Sequence, residues 1–236
     1  NAPELSLSVE DEESLADVML ESILNDQEKV ESKIVDSTLH ILTDRLLKGI
    51  DSTEYIYTFH VIRNDELNAF ATLGGHIFIY SGLIEKLEEP EELAAILAHE
   101  IGHVENKHVV NRIVAEIGKT LLVSIITGGD QALMSEIMDL AFSNVFSRNQ
   151  EREADDFGLE FMEKCAIPPI YMAHSFRKLK NASEDNLVID IMSTHPNINS
   201  RIRKSMKYKV SDDFQEEIID LDWEKMKHEV ESAISE

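Results

Sequence analysis

The sequence predicts a helix-rich α+β fold with a small mixed or antiparallel sheet. Segments with the β-branched and aromatic composition of strands are confined to residues 55–80, whereas helical spacing of apolar residues covers most of the chain before and after them. With 236 residues and 43% hydrophobic content, the chain is long enough for one domain with a substantial core. We expect a single domain over 1–236, with acidic helical arms at 1–48 and 205–236 packed on it.

The first helical region is predicted over residues 12–48, as one long helix or two. It ends at Lys48 and Gly49, a basic last turn followed by a glycine of the kind that caps helices. Two or three strands follow, and we expect them to be antiparallel neighbours. The strand segments are YIYTFHVIR (55–63), NAFATL (68–73) and HIFIY (76–80).

A further helix is predicted from Pro90, because proline suits the first turn and the surrounding acidic residues suit the positive end of the helix dipole. Apolar residues at 93, 96, 97, 101 and 104 give this helix one buried stripe. Helices are also expected over 109–126, over 133–161 after the Gly128-Gly129 break, and in the polar remainder, which STHPNINSRIRK (193–204) interrupts.

The formal charge of −24 is concentrated at the two ends, with ten acidic residues in 1–31 and ten in 212–236. This distribution disfavours binding to nucleic acid and to anionic membranes, because phosphate recognition requires clustered Lys and Arg. The longest uncharged run, 67–84, contains polar residues and glycines that distinguish it from a transmembrane segment. Cys165 is the only cysteine, which rules out an internal disulfide. We expect any targeting segment or lipid anchor to lie upstream of Asn1.

The segment LAAILAHEIGHVENKH (93–108) holds two histidines four residues apart, His99 and His103, and Glu100 directly follows the first. Residues four apart lie on the same face of a helix, so both imidazoles can bind one ion at about 2.0 to 2.1 Å. Glu100 lies beside that ion, where a carboxylate can accept a proton from the attacking water and return it to a leaving amine. The pattern therefore predicts a zinc hydrolase site.

Such a site needs a third protein ligand and one position for water. A metzincin would carry Gly and His where this chain has Asn106 and Val109, so that pattern fails. His108 lies about half a turn around the same predicted helix from His99, and we expect it to be a surface or second-layer residue.

The segment SRNQEREADDFG (147–158) offers the better candidates for the third ligand. Glu151 and Asp155 are four apart, so one carboxylate can bind the metal while the other accepts the N–H of a liganding histidine. Glu153 is rotated about 200° from Glu151 and has no carboxylate four residues on, so the spacing favours Glu151.

Four segments in this order closely resemble peptidase family M48, the zinc metallopeptidases related to the CAAX-processing Ste24 proteases. They are NAFATLGGHIFIYSGLI, ELAAILAHEIGH, SRNQEREAD and STHPNINSR, and the likeness runs from about residue 51 to 203. The resemblance implies a zincin-like fold of the gluzincin type with one Zn²⁺ per chain. Its implied ligands are His99, His103 and Glu151, with Glu100 as catalytic base and Asp155 supporting the ligands.

The resemblance also implies that a polypeptide substrate adds as a strand to one edge of the sheet. That edge is formed by Asn68, Ala69, Phe70 and Ala71. The family's H-P-x4-R pattern brings His195 and Arg201 toward the zinc, where both could stabilise the oxyanion of the tetrahedral intermediate. His195 could instead bind zinc as a fourth ligand in a closed state; of these two roles we expect the oxyanion donor, for which His195→Ala would lower kcat. Relatives often read ALPGG where this chain has ATLGG (71–75), which changes a loop but removes no ligand.

These features predict a zinc-dependent endopeptidase that uses a metal-activated water with Glu100 as general base. The membrane helices of the Ste24 branch are absent from this sequence, which favours unfolded or misfolded polypeptides over prenylated substrates. The resemblance to family M48 implies a periplasmic or cell-envelope location in a bacterium. One alternative is a latent zinc-bearing chaperone or assembly factor of the cell envelope, with its cleft closed by the 109–126 segment. A purely structural metal site is another.

Overall fold

The computed structural model describes residues 7–126, 131–143, 146–184 and 195–235. The elements in chain order are α1 Val9–Asp26, α2 Lys33–Leu47, β1 Thr58–Ile62, β2 Ala69–Ala71, β3 His76–Tyr80, α3 Ser81–Lys86, α4 Pro90–Glu105, α5 His108–Ile117, α6 Lys119–Ile126, α7 Gln131–Ser143, α8 Arg148–Lys164, α9 Ile170–Glu184, α10 Ile198–Ser205 and α11 Trp223–Ser235. The predicted helix-rich α+β class with a small mixed sheet is confirmed.

The three strands form a mixed sheet in the order β1-β3-β2. β2 pairs with β3 in the expected antiparallel sense, but β1 runs parallel to β3, with Ile62 opposite Tyr80. The expectation of antiparallel neighbours throughout is therefore wrong for β1. The cause is the segment 63–68, which crosses the Tyr80 end of β3, so that β3 lies between two strands that are consecutive in sequence.

A 3₁₀ turn, Leu73–Gly75, connects β2 to β3 at the other end of the sheet. Gly74 has φ of 68°, a left-handed conformation that glycine adopts without steric cost. A Cβ atom at Gly74 would lie 2.7 Å from Cβ of Ala16 in α1, so the missing side chain also lets α1 pack against this turn.

The helical predictions hold in outline and differ in where helices break. The region 12–48 forms two helices, and Ser8 and Ser32 cap their first turns by accepting backbone N–H bonds. The 109–126 stretch divides at Gly118 into α5 and α6. The region 133–161 divides into α7 and α8, and Ser147 caps α8. Gly128 and Gly129 lie outside the described residues.

The predicted interruption at 193–204 is mostly helical, because α10 begins at Ile198. Asn197 has φ of 68° and reverses the chain, and its carbonyl accepts the N–H of Arg201. Ile198 and Ile202 then give α10 one buried face. The irregular part within the described residues is limited to 195–197.

Helix α4 occupies the centre of the molecule, where it packs against β2, α8 and α9. Every residue from Glu92 to Val104 is buried, so only the ends of this helix reach solvent. Glu89 and Glu92 form a capping box at its first turn, and Pro90 takes the first helical position. A helix buried on all sides gives its polar residues little freedom, and this rigidity fixes the position of the HEIGH segment.

The contact between α4 and α8 depends on the absence of a side chain at Gly102. A Cβ atom there would lie 2.9 Å from the carbonyl oxygen of Ala154 and 3.1 Å from its Cα atom. Since backbone cannot yield as a flexible side chain does, any larger residue pushes the two helices apart.

Gly102→Ala should therefore lower the free energy of unfolding by about 1–3 kcal/mol and weaken metal binding, because it separates α4 from α8. Gly158→Ala is the matched control. Its Cβ atom would meet the terminal methyl group of Met172, which can rotate away, and would lie 3.4 Å from the backbone of α4, an ordinary van der Waals distance. Urea unfolding and metal titration of both variants test this, and equal losses would show that the α4–α8 distance is not the limiting constraint.

Candidate metal centre

Helix α4 presents three polar side chains at its buried centre. His99, Glu100 and His103 are 3%, 1% and 0% exposed. The Nε2 atoms of the two histidines lie 3.1 Å apart, which follows from their spacing of four residues on one helical face. The structure thus brings together the residues that the HEIGH segment predicts.

Helix α8 and the chain around α10 supply the other groups. Glu151 and Asp155 are both buried on α8 and face α4. His195, before α10, places Nδ1 2.9 Å from Oε1 of Glu151 and 3.3 Å from Nε2 of His99. Arg201, on α10, completes the group.

The donor atoms of His99, His103, Glu151 and His195 all lie within 4.8 Å of one another. A tetrahedral zinc site with metal–ligand bonds of 2.0–2.2 Å has donor–donor separations of about 3.3 to 3.6 Å. Four separations among the histidine nitrogens and Oε1 of Glu151 range from 2.9 to 3.4 Å, and Oε2 of Glu151 lies 3.7 Å from Nε2 of His99. The spacing and the nitrogen and oxygen donor set both fit a zinc ion.

Both helical histidines are neutral at pH 7 and can offer a ring lone pair to a metal. Burial lowers the pKa of His99 to about 4, and the Arg201 guanidinium acts in the same direction. Burial also lowers the pKa of His103 well below its usual range. Oδ1 of Asp155 lies 3.1 Å from Nδ1 of His99, where it accepts the N–H bond and leaves Nε2 facing the other donors.

Arg201 is bound to the two carboxylates of α8. Its Nη2 lies 2.7 Å from Oδ1 of Asp155, and its Nη1 lies 2.8 Å from Oε2 of Glu151 without the angles of a hydrogen bond. The guanidinium also stacks 4.1 Å from the ring centre of Phe176. Burial acts to raise the pKa of Asp155, but Arg201 and His99 outweigh it and hold that pKa at about 2. Arg201 thus stabilises the ionised carboxylates of the site.

Glu100 differs from Glu151 and Asp155 because it forms no ion pair with Arg201 among the described contacts. Its Oε2 accepts the N–H of Ala71 in β2 at 3.0 Å, and its Oε1 has no hydrogen-bond partner among the described residues. Oε1 lies 3.7 Å from Nε2 of His195. Burial raises the pKa of Glu100 to about 7.

Two residues, His108 and Phe146, lie beside His103 and outside the donor group. His108 is 4% exposed, and its Nδ1 lies 3.0 Å from Nδ1 of His103. Its expected place on the same helix as His99 is wrong, because α4 ends at Glu105 and Lys107 turns the chain with φ of 55°. Phe146 stacks on the ring of His103, with centroids 3.9 Å apart. Its apolar side chain directly before the cap residue Ser147 was the signal that could have identified it.

The expected substrate edge is closed in this structure. Asn68, Ala69, Phe70 and Ala71 are each exposed by 2% or less, although β2 is at the edge of the sheet. The cavity beside Glu100 measures about 10 Å³, room for about one water molecule. Within the described residues, the cavity beside Glu100 is therefore too small for a polypeptide.

The sequence model of peptidase family M48 matches residues 34–208. The chain belongs to peptidase family M48. The expected membership in a metallopeptidase family is thereby confirmed, and the buried group of three histidines and one glutamate could hold the metal that this family implies.

Curated relatives of M48 type come from bacteria and from mitochondria. The β-barrel assembly-enhancing protease of Yersinia pestis is 25% identical over 211 residues, which cover 84% of this chain and 43% of the relative. The mitochondrial metalloendopeptidase OMA1 of Schizosaccharomyces pombe is 29% identical over 177 residues, 71% of this chain and 52% of the relative. Metalloprotease LoiP of Escherichia coli K12 is 30% identical over 133 residues, 53% of this chain and 52% of the relative. The chain thus spans about half or less of the length of these relatives.

Arg201→Met should lower the free energy of unfolding of the metal-free M48 chain by about 3–5 kcal/mol, because it leaves two buried carboxylates without their cation. Arg203→Met removes an exposed guanidinium from the same helix and should change stability little. Urea unfolding in the presence of a chelator compares the two variants. Similar stabilities would mean that Arg201 does not compensate Glu151 and Asp155.

Proposed function

We propose that this chain is the catalytic domain of a zinc-dependent endopeptidase acting on unfolded or misfolded polypeptides. The supporting observation is the buried donor group, spaced for a tetrahedral ion, with the free oxygen of Glu100 directed beside it. We assign His99, His103 and Glu151 as zinc ligands and Asp155 as the group that orients His99. We further propose that residues 1–236 form one M48-type domain, in keeping with buried apolar residues of α1 and α11 that join one core cluster.

When bound, zinc supplies a Lewis acid that polarises a carbonyl and lowers the pKa of a bound water to about 7. Glu100 accepts the proton of the attacking water and donates it to the leaving amine. A general base works best when its pKa lies near the working pH, and in the metal-free protein burial raises the pKa of Glu100 to about 7. The N–H bond from Ala71 holds the carboxylate in place and links it to β2.

The substrate adds as a strand to β2 in this proposal, with main-chain hydrogen bonds supplying most of the binding. Asn68 supports this role, because its side chain is 2% exposed and its Oδ1 has no hydrogen-bond partner within the described residues. A buried acceptor without a donor is costly, and a substrate N–H would satisfy it.

The closed edge and the small cavity give weight to a second candidate, a latent zinc-bearing chaperone or assembly factor of the cell envelope. Helix α5, part of the 109–126 segment expected to cover the cleft, has its apolar face buried against the described residues. That face is therefore not exposed to solvent. Zinc binding without hydrolysis of an unstructured peptide would favour this candidate over the peptidase.

A periplasmic or cell-envelope location is proposed from the bacterial relatives named β-barrel assembly-enhancing proteases. None of the described helices combines the length and apolar character needed to cross a membrane. A lipid anchor upstream stays a prediction.

Glu100→Gln should retain zinc but lower kcat for an unstructured peptide by about 10² to 10⁴, because no carboxylate accepts the proton of the water. Glu116→Gln, an exposed change on α5, serves as control. Zinc content and peptide hydrolysis are measured on the same preparations. Turnover at the wild-type rate would remove Glu100 from the mechanism, and loss of zinc would make its role structural.

The two roles expected for His195 predict opposite effects of His195→Ala. The position of Nδ1 among the donors favours a fourth ligand that closes the site, so we expect kcat to rise. An oxyanion donor would instead lose about 10² to 10³ in kcat. Steady-state hydrolysis with zinc content measured in parallel decides the sign, and a fall with full zinc occupancy would restore the oxyanion role.

A further inference from the structure

We propose that His108 and Glu153 form a positioning pair that fixes the ring orientation and tautomer of His103 for metal binding. Nδ1 of His108 lies 3.0 Å from Nδ1 of His103, and Nε2 of His108 lies 3.1 Å from Oε2 of Glu153. The proposal rests on the zinc site proposed above, and it assigns a role to two residues that lie outside the donor group.

The direction of each hydrogen bond in the series Glu153–His108–His103 follows from the Glu153 carboxylate at its outer end. The Glu153 carboxylate is an acceptor, so Nε2 of His108 carries a hydrogen and donates it. Nδ1 of a neutral His108 is then an acceptor, and it takes the hydrogen on Nδ1 of His103. Nε2 of His103 is left with its lone pair, and this atom lies 3.1 Å from Nε2 of His99 and 3.4 Å from Oε1 of Glu151. These two hydrogen bonds thus select the His103 tautomer that a metal ligand requires.

The backbone explains why His108 can turn back toward His103. Helix α4 ends at Glu105, and Lys107 adopts the left-handed conformation with φ of 55°. The N–H of Lys107 bonds to the carbonyl of Val104, which closes the turn. Helix α5 then begins at His108 and brings its ring within hydrogen-bond distance of His103.

Each helical histidine is therefore supported by an acid of α8. Asp155 contacts His99 directly, whereas Glu153 reaches His103 through His108. Outer groups of this kind typically change metal affinity by about 10- to 100-fold when removed. His108 is 4% exposed, but the side chain of Glu153 is 59% exposed, so solvent weakens the outer bond and His108 should have the larger effect.

Two substitutions of His108 separate positioning from packing. His108→Asn places a carbonyl oxygen near the position of Nδ1 and keeps an acceptor for His103, although it fills less space. His108→Phe fills the space beside Phe146 and removes the acceptor. We expect the zinc dissociation constant of the Phe variant to rise by about 10- to 100-fold and that of the Asn variant to stay within about threefold of wild type. Packing alone predicts the reverse order.

The zinc dissociation constants are measured by competition with a chromophoric chelator. A second measurement, long-range ¹H–¹⁵N correlation of the histidine rings in the metal-free protein, reports the tautomer directly. His103 should carry its hydrogen on Nδ1 in the wild type and in the Asn variant, and lose this preference in the Phe variant. Glu153→Ala should weaken zinc binding less than His108→Phe, and Glu160→Ala, an exposed change on the same helix, should have no effect.

Wild-type affinity in His108→Phe, or equal losses in both His108 variants, would overturn the proposal. Glu151→Gln sets the scale of the assay, because it removes a proposed ligand. If the wild type and this variant both bind no zinc, the proposed function fails and the tautomer measurement alone judges the pair. If the wild type binds zinc and Glu151→Gln does not, the His108 variants test the pair by itself.

Discussion

The close approach of α4 and α8 is the constraint on which the rest of the site depends. The donors come from opposite sides of this contact, His99 and His103 from α4 and Glu151 from α8. Their separations of 3.4 to 3.7 Å are reached only because Gly102 lets the backbone of Ala154 lie against α4. A tetrahedral site tolerates little error in the distances between its donor atoms. The geometry of the donor group therefore depends directly on how closely α4 and α8 pack.

The ionisable groups buried around this contact carry an excess of negative charge when their carboxylates are ionised. Glu100, Glu151 and Asp155 carry three negative charges when ionised, and Arg201 carries one positive charge, which leaves −2 with neutral histidines. Without a cation, protons compensate. Burial raises the pKa of Glu100 to about 7, and the pKa of His195 is raised although burial opposes it, because Glu151 attracts the proton. Buried charges are costly unless paired, and a divalent cation would pair the two negative charges that Arg201 leaves.

Local periodicity was enough to predict which candidate ligands lie together, because four-residue spacing on a helix fixes which side chains share a face. It paired His99 with His103 and Glu151 with Asp155, and the structure places these groups together. The parallel pairing of β1 could not be predicted in this way, since strand order depends on the path of a six-residue connection across the end of β3. The turn at Lys107 was also missed, because a left-handed lysine has no signal comparable to glycine. His108 was therefore placed on the wrong helix.

His195 and Arg201 are six residues apart and are held by contacts of very different strength. Arg201 is fully buried between Glu151 and Asp155 and stacks on Phe176, so moving it would leave desolvated carboxylates unpaired. His195 contacts Glu151 and His99 through Nδ1, its Nε2 lies 3.7 Å from Oε1 of Glu100, and it precedes the helix at the left-handed Asn197. Its displacement leaves the ion pairs of α10 intact. If the proposed peptidase binds its substrate at β2, displacing His195 would break fewer buried ion pairs than displacing Arg201.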